Sequence, residues 1–321
     1  MTYALYGNIA SFDYNTLVGT NPSTSSGALN SVWAIGGNNA GYGQPALAQV
    51  AYGSRINSSN WANLINTTGT SATHQGTSIT SITAPVPNGP IPYLAALPTN
   101  LTTIYNSRLN AATQGATTAN TATYNSTWSN VLIFTHTISF ANGDSARYFF
   151  NSGGQLKVTC SHANTIAGIN LLMHNLASNI GTVVMSSPTS GSITISGTSY
   201  NGVTKVGGGL PSPTISPNKG YYAMTTANTN IFTQTASTGP AYYLNTNISI
   251  IAKSNGTQGS NQDAGNVVTL YTVWDEVSLG SDATVGSGSS TTVTVTAQAP
   301  ETTYLANSWG TITVAGSVSG S

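Results

Sequence analysis

The side chains able to do chemistry are few in these 321 residues: four histidines, one cysteine, seven carboxylates and seven lysines or arginines. His74, His136, His162 and His174 stand at no metal-ligand spacing such as HxxxH or HExxH, and no carboxylate accompanies them in sequence. A metal site needs three or four such groups converging, so each reads as a structural histidine. Glycan hydrolysis needs two carboxylates flanking one bond. Asp275 and Glu276 are adjacent at the end of a strand, where consecutive side chains point to opposite faces, and Asp13, Asp144, Asp263, Asp282 and Glu301 are scattered singly. GxSxG and the P-loop are both missing, and GGNNAG neither follows a strand nor opens a helix. Cys160, in KVTCSH, has no basic cluster to activate it and reads as a small buried side chain. No catalytic, cofactor-binding or metal-binding residue is therefore expected, and the chain does not read as an enzyme.

Carbohydrate recognition asks for exposed aromatic and amide side chains. Tyr221, Tyr222, Tyr242, Tyr243 and Trp274 are the candidates, but both YY pairs fall on predicted strands, where one ring of each pair must face the core. Packing is the preferred reading. Sequons such as Asn66-Thr67-Thr68 and Asn255-Gly256-Thr257 carry little weight in a chain so rich in Asn, Ser and Thr.

Charged residues make up 4% of the chain and the net charge is zero, against roughly 25% charged residues in ordinary soluble domains. Nothing gathers a positive field, which argues against nucleic acid and anionic membranes as partners. No segment nears about eighteen apolar residues, so no membrane insertion is expected, and MTYALYGNIASFDYN lacks the basic and apolar regions of a signal peptide. Synthesis in the cytoplasm is expected. Neutrality also removes the repulsion that keeps free molecules apart, which suits a protein held beside copies of itself in a homo-oligomer.

The elements that must position these residues divide the chain in four. Residues 1–50 read as an extended N-terminal arm, ordered only against a neighbour. Residues 51–120 read as a small helical and connector region: NSSNWANLIN capped by Ser58 or Ser59, a Pro-rich extended run TAPVPNGPIPYLAALP, and PTNLTTIYNSRLNAA capped by Asn100, with Leu101, Ile104, Tyr105 and Leu109 as its stripe. Residues 121–300 read as a mainly β domain, an antiparallel β-sandwich or jelly-roll-like fold, with strands at WSNVLIFTHTISF, QLKVTC, TVVMSS, SITISG, KGYYAMTT, NIFTQTA, AYYLNTNISIIAKS, NVVTLYTVWDEV and TTVTVTAQ. One helix is inserted at about 165–180, with Ile169, Leu172, Met173, Leu176 and Ile180 inward and Gly181 as its cap. Residues 301–321 read as a last strand and tail.

The block FANGDSARYFFNSGGQLKV, with WANLINTTGTSATHQGTSI upstream and GYYAMTT and SIIAKSNG downstream, resembles a class of virion structural proteins of tailed bacteriophages that carry a GDxARYFFNxGG pattern. The likeness spans about residues 40–280. It implies a virion component of the tail-fibre-like, baseplate or decoration kind, with other virion proteins as partners. A host-receptor or glycan-binding fibre is the alternative. Within the block, Asn142-Gly143 reads as a hairpin turn and SARYFF as the returning strand, with Phe149 facing away from Tyr148 and Phe150; Arg147 is expected to pair with Asp144 or to lie over an aromatic ring.

Overall fold

Alternation of buried and half-buried residues along three long strands sets the architecture. In the computed structural model, which describes residues 10–37, 39–87, 94–163, 167–188, 190–209, 213–216, 219–236, 244–258, 265–277, 284–286 and 290–320, the chain runs α1 (Ser11–Val18), α2 (Ser58–Gln75), α3 (Leu97–Asn106), β1 (Gln114–Tyr124), β2 (Val131–Ser139), α4 (Gly143–Asn151), β3 (Gln155–His162), α5 (Ile169–Ile180), β4 (Thr182–Met185), β5 (Ile193–Ile195), β6 (Thr198–Tyr200), β7 (Val203–Val206), β8 (Thr214–Ile215), β9 (Thr229–Thr235), β10 (Asn247–Ser254), β11 (Val267–Asp275), β12 (Thr291–Pro300) and β13 (Thr313–Gly320). Two antiparallel sheets of order β1-β12-β3-β4-β7 and β13-β2-β11-β10-β9-β8 form a β-sandwich, and β5 and β6 make a separate hairpin. The protein is thus mainly β with a few helices, as the alternation predicts.

Each sheet contributes one face to the core. Leu132, Phe134, His136 and Ile138 of β2 point inward, as do Val268, Leu270, Thr272 and Trp274 of β11 and Val293, Val295 and Ala297 of β12. Fully burying one such large apolar side chain contributes about 1.5–3 kcal/mol. Helix α5 closes the sandwich from between β3 and β4, burying Ile169, Leu172, Met173, Leu176 and Ile180 against β3 of one sheet and β9 and β10 of the other. Gly181 ends it at φ +63°.

A second core lies in the N-terminal part, and it corrects the picture of an arm. Tyr14, Leu17, Val18, Leu29, Val32 and Tyr42 are buried against Trp61 and Leu64 of α2 and Leu97, Leu101 and Ile104 of α3. These apolar residues follow no period because most of the segment is irregular, so periodicity could not find them. Side-chain amides hold it instead. Asn15 exchanges two hydrogen bonds with the backbone of Val50 (2.8 and 2.8 Å), and Asn30 bridges Leu47, donating to its carbonyl at 2.9 Å and accepting from its amide at 3.0 Å.

Helix starts also differ from expectation. Asn57, not Ser58 or Ser59, caps α2 by a reciprocal pair with Asn60 (3.1 and 3.0 Å), and the helix continues to Gln75, its threonines turning their hydroxyls onto carbonyls four residues back. In α3 the chain is already helical at Leu97, because Pro98 fits the first turn. Asn100 lies inside the helix, bonded both ways to the backbone of Thr80, and Leu109 lies beyond its end. Tyr221–Ala223 in KGYYAMTT form a 3-10 turn with both tyrosines buried, not a strand. β10 begins at Asn247, and part of the Pro-rich run (88–93) falls outside the described residues. The last stretch supplies β13, paired along β2.

The largest correction concerns SARYFF, which belongs to helix α4. Asn142 is extended (φ −160°) rather than left-handed as a type I′ Asn-Gly turn requires, and its side chain accepts the amide of Ser145 at 2.8 Å. An Asn-Gly pair is equally a helix N-cap followed by N1, and Asp144 in the first turn favours the positive end of the helix dipole. Tyr148, Phe149 and Phe150 are all buried; Phe149 shares the sandwich core with Phe150 instead of facing away from it, while Tyr148 lies over Gly43. Phe150 stacks on Tyr221 with centroids 4.1 Å apart and planes at 14°, and meets Phe149 edge-on at 5.0 Å. Replacing Phe150 by Ala is expected to cost about 3–5 kcal/mol, read as a lower urea midpoint with an unchanged slope; a loss below about 1 kcal/mol would contradict this packing.

Candidate functional site

Helix α4 is the crossing between the sheets, since it joins β2 of one to β3 of the other. Its two faces serve different cores. Phe149 and Phe150 enter the sandwich with Phe140, while Arg147 points into the N-terminal segment. The guanidinium, 2% exposed, donates from Nη1 to the carbonyls of Ile35 (2.8 Å) and Ala40 (2.6 Å) and from Nη2 to Asp144 Oδ1 (3.1 Å). It also lies over the Tyr148 ring, 4.7 Å from its centroid. Both expectations for Arg147, the Asp144 pair and the aromatic contact, are met together. A planar fork with fixed donors suits two carbonyls and a carboxylate at once, which a lysine could not match.

Asn151, one turn on, extends the joint. Its Nδ2 donates to the Gly41 carbonyl at 3.0 Å and its Oδ1 accepts the Tyr222 hydroxyl at 2.7 Å. The loop from Ile35 to Gly43 reaches this surface only because of its glycines. Gly41 sits at φ +93° with the Ile35 carbonyl against the position of a β-carbon, and Gly43, at φ +67°, lies under the Tyr148 ring. GGNNAGYG therefore supplies backbone approach, a signal present in the sequence but masked by its resemblance to an unstructured arm.

From this joint the chain is tied to its far end. Gln44 exchanges two hydrogen bonds with the backbone of Ala306 (2.8 and 2.9 Å), and Ser308 donates its hydroxyl to the Tyr42 carbonyl. Tyr42 in turn donates to the Arg108 carbonyl (2.9 Å) and accepts from Gln75 (2.7 Å). Burial pushes the Tyr42 phenol well above its ordinary value, against the lowering pull of the Gln75 hydrogen bond and the Arg108 charge.

The structure keeps the histidines apart. His74 lies edge-on to Tyr42 with centroids 5.2 Å apart, and His136 lies inside the sandwich, where Gly316 of β13 leaves it room. Burial lowers both, each to about 4. His162 touches Thr291 Oγ1 (2.9 Å) and Asn170 Oδ1 (3.3 Å), and His174 bonds the His162 carbonyl at 2.7 Å. Among the described residues no three His, Cys, Asp or Glu side chains gather as metal ligands, and no helix is long and apolar enough to cross a membrane. Cys160 packs partly buried against the core, and burial pushes its thiol up to about 12, far from the reactive range. Asp275 accepts from Asn247 at 3.4 Å, and Glu276 is buried. Asp263 and Asp282 lie outside the described residues.

The aromatic candidates for sugar stacking among the described residues are spent on packing. Tyr221 and Trp274 are fully buried and Tyr222 is 9% exposed; Tyr242 and Tyr243 fall outside the described residues. A polar hollow of about 250 Å³ remains between Asn39, Asn106, Arg108, Asn110, Ser190 and Ser192. A larger groove of about 550 Å³ follows α2 beside Ile79 and Ile82. Neither hollow brings a nucleophile together with a base.

No protein-family model, curated protein or solved structure matches the chain.

Two predictions follow from the joint and from the histidines. Arg147→Ala leaves the Ile35 and Ala40 carbonyls without donors and is expected to cost about 3–5 kcal/mol, whereas Asp144→Ala, whose carboxylate is 40% exposed, is expected to cost no more than about 1 kcal/mol. Equal losses in chemical denaturation would refute the asymmetry. His74 and His136 are neutral in the fold at pH values where an unfolded imidazole, titrating near 6.5, is protonated, so stability falls as pH drops from about 6.5 to about 4 and levels off below. The effect is on the order of 3 kcal/mol per histidine. Melting curves across this range check it, and His136→Gln should flatten the dependence by about half.

Proposed function

We propose that this chain is a structural subunit of a bacteriophage particle, a tail, baseplate, fibre or decoration component that acts through contacts with its own copies and other virion proteins. The observation that carries the reading is the use made of GDSARYFFNSGG, the block on which the resemblance to tailed-phage virion proteins rests. Arg147 and Asn151 bind backbone of the same chain, and Phe149 and Phe150 fill a core. A motif of this kind preserves a shape and leaves no group for substrate. A surface almost free of charge supports the same reading, because neighbouring copies meet without repulsion.

The virion is the proposed location, and the role is proposed to be non-catalytic. Host-glycan recognition is the second reading, favoured only by the neutral amides and hydroxyls around the hollow at Asn106 and Asn110. Labelling the protein in intact particles and counting copies tests the first reading. Stoichiometric, symmetric incorporation is expected, and absence from purified particles would overturn it. Saturable binding of the isolated protein on a glycan array, lost in Asn110→Ala, would favour the second.

A further inference from the structure

The two sides of the sandwich differ in how their strand edges are guarded. An edge strand exposes unpaired amides and carbonyls, and native proteins protect such edges with short strands, lysines and prolines. At one side of the sandwich this holds: β7 has four residues and carries Lys205, and β8 has two residues and follows Pro213. The opposite side is different. There β1 and β13 head their sheets with eleven and eight residues, contain no charged residue and no proline, and are among the most exposed strands of the fold. Residues 116–119 of β1 and 315–317 of β13 are exposed on both faces. Among the described residues the outer edge of neither strand has a ladder partner.

The two free edges are stacked and run the same way. Gly316 of β13 lies beneath Asn120 of β1, and Gly320 lies beneath Tyr124, so both strands advance together. Their stacking has a geometric result that holds whichever way the strands run. A single two-fold axis normal to the sheets sets β1 antiparallel to β1 of another molecule and, in the same operation, β13 antiparallel to the other β13. Both sheets then continue across the boundary, one to ten strands and the other to twelve.

We propose that this side is an isologous interface at which a second copy of the chain pairs by strand addition through β1 and β13. The occupant is a copy of the chain because identical edges meet there without charge opposing charge, and because β1, about 37 Å long at roughly 3.4 Å per residue, meets a strand of its own length. The opposite margin, with Lys205 and Pro213, is the one shaped to refuse such pairing. The inference rests on the assembly reading above and names the partner and the surface.

Sedimentation velocity on the purified full chain, with Ala119→Lys, Ala315→Lys, which stacks beneath it, and the pair of them, tests it. Both positions are exposed in the single molecule, so the variants should keep the parent circular dichroism and melting curve. An even-numbered oligomer is expected, with dissociation constants raised at least about tenfold by each lysine, since like charges then face each other across the axis. Independently of any variant, amide exchange in residues 114–124 and 313–320 should slow as concentration rises. An oligomer indifferent to the double variant, with no concentration-dependent protection in these strands, overturns the edge pairing and leaves the assembly reading standing. A chain that stays monomeric at high concentration overturns the pairing, and only its absence from particles overturns assembly as well.

Discussion

A chain with fourteen charged residues in 321 has to satisfy its buried backbone by other means, and in this protein the means is the side-chain amide. An Asn or Gln side chain offers the acceptor and donors of a peptide group, so it can complete a two-bond ring with one residue of a passing segment. Asn15 does this with Val50, Asn30 with Leu47, Asn100 with Thr80 and Gln44 with Ala306. Each unmade bond of this kind would cost about 1–3 kcal/mol once buried. The irregular N-terminal part is therefore ordered by amides much as the sandwich is ordered by ladders, and its cohesion should depend little on ionic strength.

Arg147 is the charged residue on which the rest most depends. It is the point where the two cores are fastened, because two carbonyls of one loop need donors from a single fixed direction on α4. The helix, placed between β2 and β3, can satisfy the loop on one face and fill the sandwich on the other. Tyr222 and Asn151 complete the fastening from the sandwich side. Charge is scarce here but it is placed where neutral groups would not reach.

What could be read from sequence followed the strength of periodicity. β2, β3, β11, β12 and α5 alternate or repeat cleanly, and the sandwich with its inserted helix was legible from them. β1 was not, since QGATTANTATY is exposed on both sides over much of its length and carries no apolar face. The N-terminal core escaped because its apolar residues are spaced by turns, and the amides that fix them are indistinguishable in sequence from those of a disordered segment. α4 escaped for a local reason: Asn-Gly signals a hairpin and a helix start alike, and only the Asn142 backbone angle decides. The Asp144–Arg147 pair was legible, whereas its true counterparts, the carbonyls of Ile35 and Ala40, lie more than a hundred residues away.

The bond between Gln44 and Ala306 joins residues 262 apart in sequence, and Leu305 beside it is buried in the N-terminal core, while Val314 and Val318 pack against the sandwich. Neither core is closed until the ribosome has released this stretch. Native topology is thus completed by its most distant contacts, which slows folding. Until then the N-terminal core lacks Leu305 and the sandwich lacks β13, so apolar surface stays uncovered in the incomplete chain.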